Sequence, residues 1–352
     1  MKQALLLLNM GGPNSIEEVE LFLHNMFSDK NILPTNSATR ALVRKIIITK
    51  RLDDAKESYA HLGGKSPLSG LTQVLIEKLQ SRVDMPIYAA MRYVPPFADV
   101  ALRECQENGV EELLLFPLYP QYSTTTTLSS YEDIVSRCEA MGYYPKITML
   151  ACQYYDDMDY IRANVEQIEK AIQSKDVSEY DLLLSAHGLP LSIIKSGDPY
   201  QRQVEANVSA IRTLLQTKGI HFKNVKLVYQ SKVGNATWLE PNLVDVLRNP
   251  LNRKVLIYPL AFTIDNSETL FELDIEHREI AEKIKYEDYI VAECMNSSDA
   301  FVDLIVKYVK MNDEQSKCSS FPCSDCRVCL CCGAAREYDA SYQKSSQDLS
   351  LK

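Results

Sequence analysis

A chain of 352 residues, 46% hydrophobic and 24% charged, is too long for one small core and has the composition of a soluble globular protein with two lobes. Its net charge of −9, without a long basic run, argues against a nucleic-acid partner. The start, MKQALLLLNMGGP, is apolar only from Ala4 to Leu8, too short to span a bilayer, and Gly-Gly-Pro follows in place of a small-residue cleavage site. The expected compartment is therefore the reducing cytoplasm, where structural disulfides are disfavoured.

Short apolar runs alternate with helical patterns along the chain. They predict strands over 4–9, 86–91, 112–117 and 146–151, then 180–185, 225–230, 254–259 and 288–293. Most are apolar throughout, as parallel strands covered on both faces are. In SIEEVELFLHNMF, Val19, Phe22, Leu23 and Met26 share one helical face, and Ser15 with Glu18 fits a capping box. The second to fourth strands start 26 and 34 residues apart, and the sixth to eighth 29 and 34. This similar spacing predicts an α/β fold of two Rossmann-like lobes, 1–155 and 156–312, each on a four-stranded parallel sheet with the cleft between them. No residue-level repeat is evident. The first lobe carries an insertion, about 12–85, placed to form a lip at the sheet's carboxyl edge. The helix in SSDAFVDLIVKYVKM is expected to close the second lobe. The tail, 313–352, is polar and Cys-rich, and its low apolar content predicts a mobile end from about 338.

Open α/β sheets bind ligands at the carboxyl ends of their strands. LLLSAHGLP puts His187 there, just past the fifth strand, although a lone loop histidine is most often bonded to backbone. LAFTIDNSETLFELDIEH follows the seventh strand. Asp265 or Asn266 caps its helix, and Glu268, Glu272 and Glu276 recur every four residues as one acidic stripe. Such a stripe is usually a solvated face, but here no basic residue lies between the carboxylates to relieve their repulsion. One imidazole and one carboxylate make an incomplete shell that suits divalent iron held briefly. Arg51, Tyr59 and Ser66 lie in the insertion, and Arg92 and Tyr93 just past the second strand. Arginines near a cleft suit carboxylates. Trp238, the only tryptophan, lies on a loop after the sixth strand, where its flat face either anchors the loop or packs a planar ligand.

With LLNMGGP, GGKSPL, MRYVPP, FPLYPQYS, SAHGLP, SGDPY, YQSKVG, WLEPN and ETLFELDIEH in this order, residues 4–311 resemble the ferrochelatases, which insert ferrous iron into a porphyrin to make haem. The resemblance implies a chelatase-like fold with protoporphyrin IX and Fe²⁺ as substrates. It implies that His187 and Glu268 face the substrate iron, with His187 as the active-site histidine. Glu272 and Glu276 match an acidic path for protons or metal. Arg51, Tyr59 and Ser66 match porphyrin contacts, Arg92 and Tyr93 match pocket residues, and the insertion becomes a lip over the macrocycle that could rest on a membrane surface. Some relatives carry histidine where this chain has Asn266, and an amide cannot take up a proton as imidazole can. Coproporphyrin as substrate, or a non-catalytic haem- or metal-binding module, are the alternatives.

Six of the ten cysteines lie between Cys318 and Cys332. Some ferrochelatases hold a [2Fe–2S] cluster through a C-terminal C-x₂-C-x₄-C pattern, which Cys323, Cys326 and Cys331 match. The animal-type fourth ligand falls at Thr124, which cannot serve, so Cys318, Cys329 or Cys332 would supply it. Structural zinc is the alternative, since four thiolates bind either.

Overall fold

A computed structural model describes residues 1–313 apart from Ser174, Val233 and Asn235. The cysteine cluster and the expected mobile end lie outside the described residues.

All eight apolar runs are strands: β1 (Gln3–Asn9), β2 (Ile87–Met91), β3 (Glu112–Pro117), β4 (Lys146–Met149), β5 (Asp181–His187), β6 (Asn224–Gln230), β7 (Lys254–Pro259) and β8 (Asp288–Val291). They form two sheets, ordered β2-β1-β3-β4 and β6-β5-β7-β8, with every pairing parallel. Parallel neighbours need crossovers, and helices supply them. The insertion after β1 holds α1 (Glu18–Ser28), α2 (Ser37–His61) and α3 (Leu68–Gln80). Then α4 (Ala98–Glu107) leads to β3 and α5 (Ser129–Met141) to β4. In the second half, α6 (Met158–Ile172) precedes β5. Next, α7 (Leu191–Lys195) and α8 (Tyr200–Thr217) lead to β6, α9 (Leu243–Arg248) to β7 and α10 (His277–Ile284) to β8. The last helix is α11 (Asp299–Asp313). Among the described residues no helix is long and apolar enough to cross a membrane.

Two local expectations change. Val19, Phe22, Leu23 and Met26 do pack together, against Ile48, Leu52 and Tyr59 of α2. The capping box does not form: Glu17 is already helical (φ −65°, ψ −30°), no side chain caps the helix, and Ser15 meets the Glu18 N–H with its backbone carbonyl at 3.1 Å. Glu18 instead accepts from the backbone and side-chain nitrogens of Asn14, both at 2.9 Å. The final helix does not close the second lobe alone. Its apolar stripe, Phe301, Val302, Ile305, Val306 and Val309, packs with Leu5, Leu7, Leu114 and Phe116 of the first sheet and with Leu75 and Leu79 of α3. The chain thus crosses back, and its last helix ties the second half to the first lobe.

The two halves repeat at residue level once their strands are matched by register. Leu8 pairs with Pro117 and Ser185 with Pro259. The next residue in each case, Leu118 or Leu260, donates its N–H back to Leu8 or Ser185. Met91 N–H reaches the Pro96 carbonyl, and Tyr229 N–H reaches that of Pro241, both at 2.9 Å. In this frame NMGGP overlies AHGLP, and Met10 stands where the second lobe has His187. Each half also opens the helix after its third strand with a wide π-helical segment, Thr124–Leu128 and Glu268–Glu276.

Buried polar groups join the lobes. Asp198, in the second lobe, accepts from Ser123 Oγ (2.9 Å) and from Thr124 N–H and Oγ1 (both 2.7 Å) at the start of the first π-helical segment. A carboxylate at a helix N-terminus satisfies otherwise unpaired N–H groups. Gln203 Oε1 accepts from Tyr122 N–H at 2.7 Å, and Asn207 Nδ2 donates to the Tyr155 carbonyl. Replacing Asp198 with alanine strands these donors. We expect Asp198→Ala to lose about 2–3 kcal/mol of stability, read as a lower urea midpoint. A loss within about 0.5 kcal/mol would show the seam to be held elsewhere.

Candidate active site

The register of the second sheet builds the site. His187 ends β5 and pairs with Gln230, the last residue of β6, while β7 flanks the other side of β5. After His187 the backbone runs close against β6 and Trp238, and only glycine fits at residue 188. A Cβ there would lie 2.8 Å from the Gln230 carbonyl oxygen and 3.4 Å from the Trp238 ring. Trp238 therefore packs over the residue next to His187. Tyr200 holds the His187 backbone by donating its hydroxyl to the carbonyl at 3.0 Å.

After β7, Asn266 Oδ1 caps the Glu268 N–H at 2.8 Å, as one of the two expected caps. Asp265 is otherwise engaged, accepting from Thr269 Oγ1 at 2.8 Å and Asn296 Nδ2 at 2.6 Å. The segment that follows is a π-helix rather than the expected α-helix. Its wider turn still keeps Glu268 and Glu272 on one side, where both reach Ser231.

Glu268 Oε2 meets His187 Nδ1 at 2.8 Å, and each side chain is about one-third exposed, His187 36% and Glu268 31%. Ser231 follows β6 and joins the acidic pair. Its hydroxyl lies 3.0 Å from Glu268 Oε2 and 2.6 Å from Glu272 Oε2, and its N–H donates to Glu272 Oε1 at 2.8 Å. Its φ of +63° is in the left-handed region, which a serine occupies only at a cost of about 1–3 kcal/mol. Ser185 Oγ, bonded to Gln230 Oε1 at 2.7 Å, steadies the neighbouring residue.

The electrostatics divide these groups. Burial opposes charge on His187, but the Glu268 carboxylate and its hydrogen bond outweigh it and raise the imidazole above its ordinary value. Burial alone would raise Glu268, but His187 and the bonds from Ser231 and Gln230 bring it below the usual carboxylate range. Glu272 is pushed up to about 7, by burial and then by the charge of Glu268. Glu276, exposed at the outer end of the segment, is also raised, by burial and Glu279 against the pull of Arg51. His277, buried beyond Glu272 with Nε2 4.0 Å from its carboxylate, is lowered to about 4 by burial. Among the described residues no three His, Cys, Asp or Glu side chains form a metal-holding group.

The remaining predicted residues divide. Tyr59, buried at the end of the lip helix α2, reaches across to Ser267 with a 3.1 Å hydroxyl contact, and burial pushes its phenol up to about 12. His61 packs its ring against Phe271, tilted by 32° with centroids 5.6 Å apart, so α2 meets the segment after β7 at two points. Arg51 is exposed on α2. Ser66 is buried against Gly12, with its N–H on the Pro13 carbonyl at 2.7 Å. Arg92 and Tyr93 are bound within the first lobe. Arg92 reaches Asp29 and Asp133, both at 3.2 Å, and Ser129 at 3.0 Å, while the fully buried Tyr93 donates to Asp29 at 2.9 Å. Ser231, Gln230, Tyr200 and His277 were not anticipated. Ser231 was within reach of the strand-edge rule, since β6 ends beside His187. Nothing in the sequence marks Asp29 as the partner of Arg92.

Two solved structures similar to this fold are those of a sirohydrochlorin chelatase. The sirohydrochlorin chelatase SirB from Bacillus subtilis subspecies spizizenii, in complex with cobalt, matches with a TM-score of 0.52 at 13% identity, over 91% of this chain and 98% of that one. SirB from Bacillus subtilis with Fe³⁺ matches with a TM-score of 0.50 at 14% identity, over 90% and 98%. At these identities the likeness defines the architecture: two parallel-sheet lobes of the chelatase type. The ferrochelatase family model matches residues 2–313. The ferrochelatase of Wolinella succinogenes is 48% identical over 315 residues, 89% of this chain and 99% of that protein. That of Sulfurimonas denitrificans is 47% identical over 88% and 99%, and that of Helicobacter pylori strain P12 is 42% identical over 88% and 93%. The chain belongs to the ferrochelatase family.

Proposed function

We propose that the protein inserts ferrous iron into protoporphyrin IX, releasing two protons and forming protohaem. Besides family membership, the observation that carries this reading is the His187–Glu268 pair at the carboxyl edge of the second sheet. Free-base porphyrin holds two pyrrole N–H groups that are very weak acids, and metalation must remove both. His187 takes the pyrrole proton, Glu268 stabilises the charge left on the imidazole, and Glu272 and Glu276 carry charge outward. Strain on the ring, supplied by remote contacts, turns a nitrogen lone pair out of plane toward the iron. Arg51, Tyr59, Ser66, Arg92, Tyr93 and Trp238 form the porphyrin pocket in this reading. Arg51, exposed on the lip, suits a propionate, and Arg92 and Tyr93 shape the wall through Asp29.

The protein works in the cytoplasm and meets a membrane surface through its lip. Support comes from α2, which carries Arg40, Arg44, Lys45, Lys50 and Arg51 with no acidic residue over 37–52 and exposes Leu42 and Ile46 among them.

For the tail, the reading is a [2Fe–2S] cluster on Cys323, Cys326, Cys331 and one of Cys318, Cys329 and Cys332. Thr124 cannot contribute, and its hydroxyl is already committed to Asp198.

Turnover tests the activity. With protoporphyrin IX and Fe²⁺ under anaerobic conditions, each chain should form many equivalents of haem, whereas a binding module would give at most one. His187→Ala and Glu268→Gln should each lower kcat by about 100-fold or more with porphyrin binding retained, and Glu276→Gln should only slow turnover. Small, equal effects at Glu268 and Glu276 would return the stripe to a solvated face. For the tail, protein purified without oxygen should be red-brown with about two irons and two sulfides per chain. Colourless protein holding zinc would assign the cysteines to a structural metal and leave the chelatase activity intact.

A further inference from the structure

We infer that the Ser231 hydroxyl is a proton relay between Glu268 and Glu272. The inference rests on the proposed function and deepens it. The carboxylates of Glu268 and Glu272 are not hydrogen-bonded to each other, and one hydroxyl lies within reach of both, at 3.0 and 2.6 Å. A serine hydroxyl has one proton to donate and lone pairs to accept with. It donates to one carboxylate, and it accepts from the other only when that one carries a proton. The three groups are fully hydrogen-bonded with one proton shared among the carboxylates.

The backbone favours the same reading. At φ +63° glycine would be the comfortable residue, and Ser231 keeps a side chain there at a cost. The backbone N–H alone would hold Glu272, through its 2.8 Å bond to Oε1. The hydroxyl adds the one thing the N–H lacks, the ability to accept as well as donate. In the step, Glu268 first takes the Nδ1 proton of the His187 imidazolium across their 2.8 Å hydrogen bond, and then the new Glu268 O–H bond breaks and its proton moves to Ser231 Oγ. At the same time the former Ser231 O–H bond breaks and that proton moves to Glu272 Oε2. Ser231 stays neutral, no electrons are exchanged, and rotation of the hydroxyl resets the relay. Ser231 is thus a positioning residue that works through the two glutamates.

The test compares Ser231→Ala, which keeps the N–H, with Ser231→Cys, whose thiol both donates and accepts. Protoporphyrin IX and Fe²⁺ are the substrates, without oxygen, and thermal melts check folding. We expect kcat to fall by about tenfold or more in Ser231→Ala with KM for porphyrin unchanged, and to be partly restored in Ser231→Cys. A Ser231→Ala kcat within about twofold of wild type, or equal losses in both variants, would overturn the relay. Should Ser231→Ala not fold, single-turnover metalation by the unmodified protein in H₂O–D₂O mixtures decides. Two protons moving in one step give a curved dependence on deuterium content, and a straight or flat line would overturn the inference. Absence of turnover in the unmodified protein would instead remove the proposed function itself.

Discussion

The hydrogen bond between His187 and Glu268 is the interaction on which the site depends, and neither residue could make it alone. His187 is carried by β5 and Glu268 by the segment after β7, and the parallel pairing of these two strands brings their carboxyl ends together. The close packing at Gly188, the cap from Asn266 and the three bonds from Ser231 then aim the side chains. The result is an imidazole held above its ordinary pKa beside a carboxylate held below its own, with a second carboxylate near neutrality one turn further out. Groups whose environments push their pKa values apart are those able to divide the handling of protons.

The same scaffold is used twice and the chemistry once. Matching the two sheets by register sets Met10 against His187, so the first lobe offers a thioether where the second offers a base. The first lobe instead invests its strand ends in structure. Arg92 and Tyr93 are committed to Asp29, and the first π-helical segment receives Asp198 from the other lobe. The lip contacts the opposite lobe through Tyr59 and His61, and α11 crosses back onto the first sheet. The two halves are therefore joined by a buried polar seam, by the Tyr59 and His61 contacts of α2 and by the docking of α11.

Much of this was legible in the sequence because parallel strands covered on both faces are unbroken apolar runs. All eight were found, and the strand-end rule placed His187 and the acidic stripe on one edge. The rest follows from packing that local patterns do not carry. The spacing of Glu268, Glu272 and Glu276 reads as α-helix, yet the hydrogen bonds choose a π-helix, and both geometries leave the carboxylates on one side. The residue-level repeat was hidden because it lies in register and backbone bonds, with its identities confined to short apolar and turn segments such as Leu5, Leu6 and Leu7 on Leu182, Leu183 and Leu184, Gly11 on Gly188 and Pro117 on Pro259. The docking of α11 depends on which apolar sheet face is uncovered, and the Arg92–Asp29 pair joins residues 63 apart in sequence.

The central claim is that His187 and Glu268 act as one proton-handling unit. The most direct measurement is the NMR titration of the His187 ring, resolved among the five histidines, in the unmodified protein and in Glu268→Gln. The carboxylate raises His187, so removing its charge must lower the midpoint. We predict a His187 midpoint above the ordinary value of about 6.5 in the unmodified protein and a clear fall in the variant. A midpoint at or below that value, or one that Glu268→Gln leaves unmoved, would contradict the account.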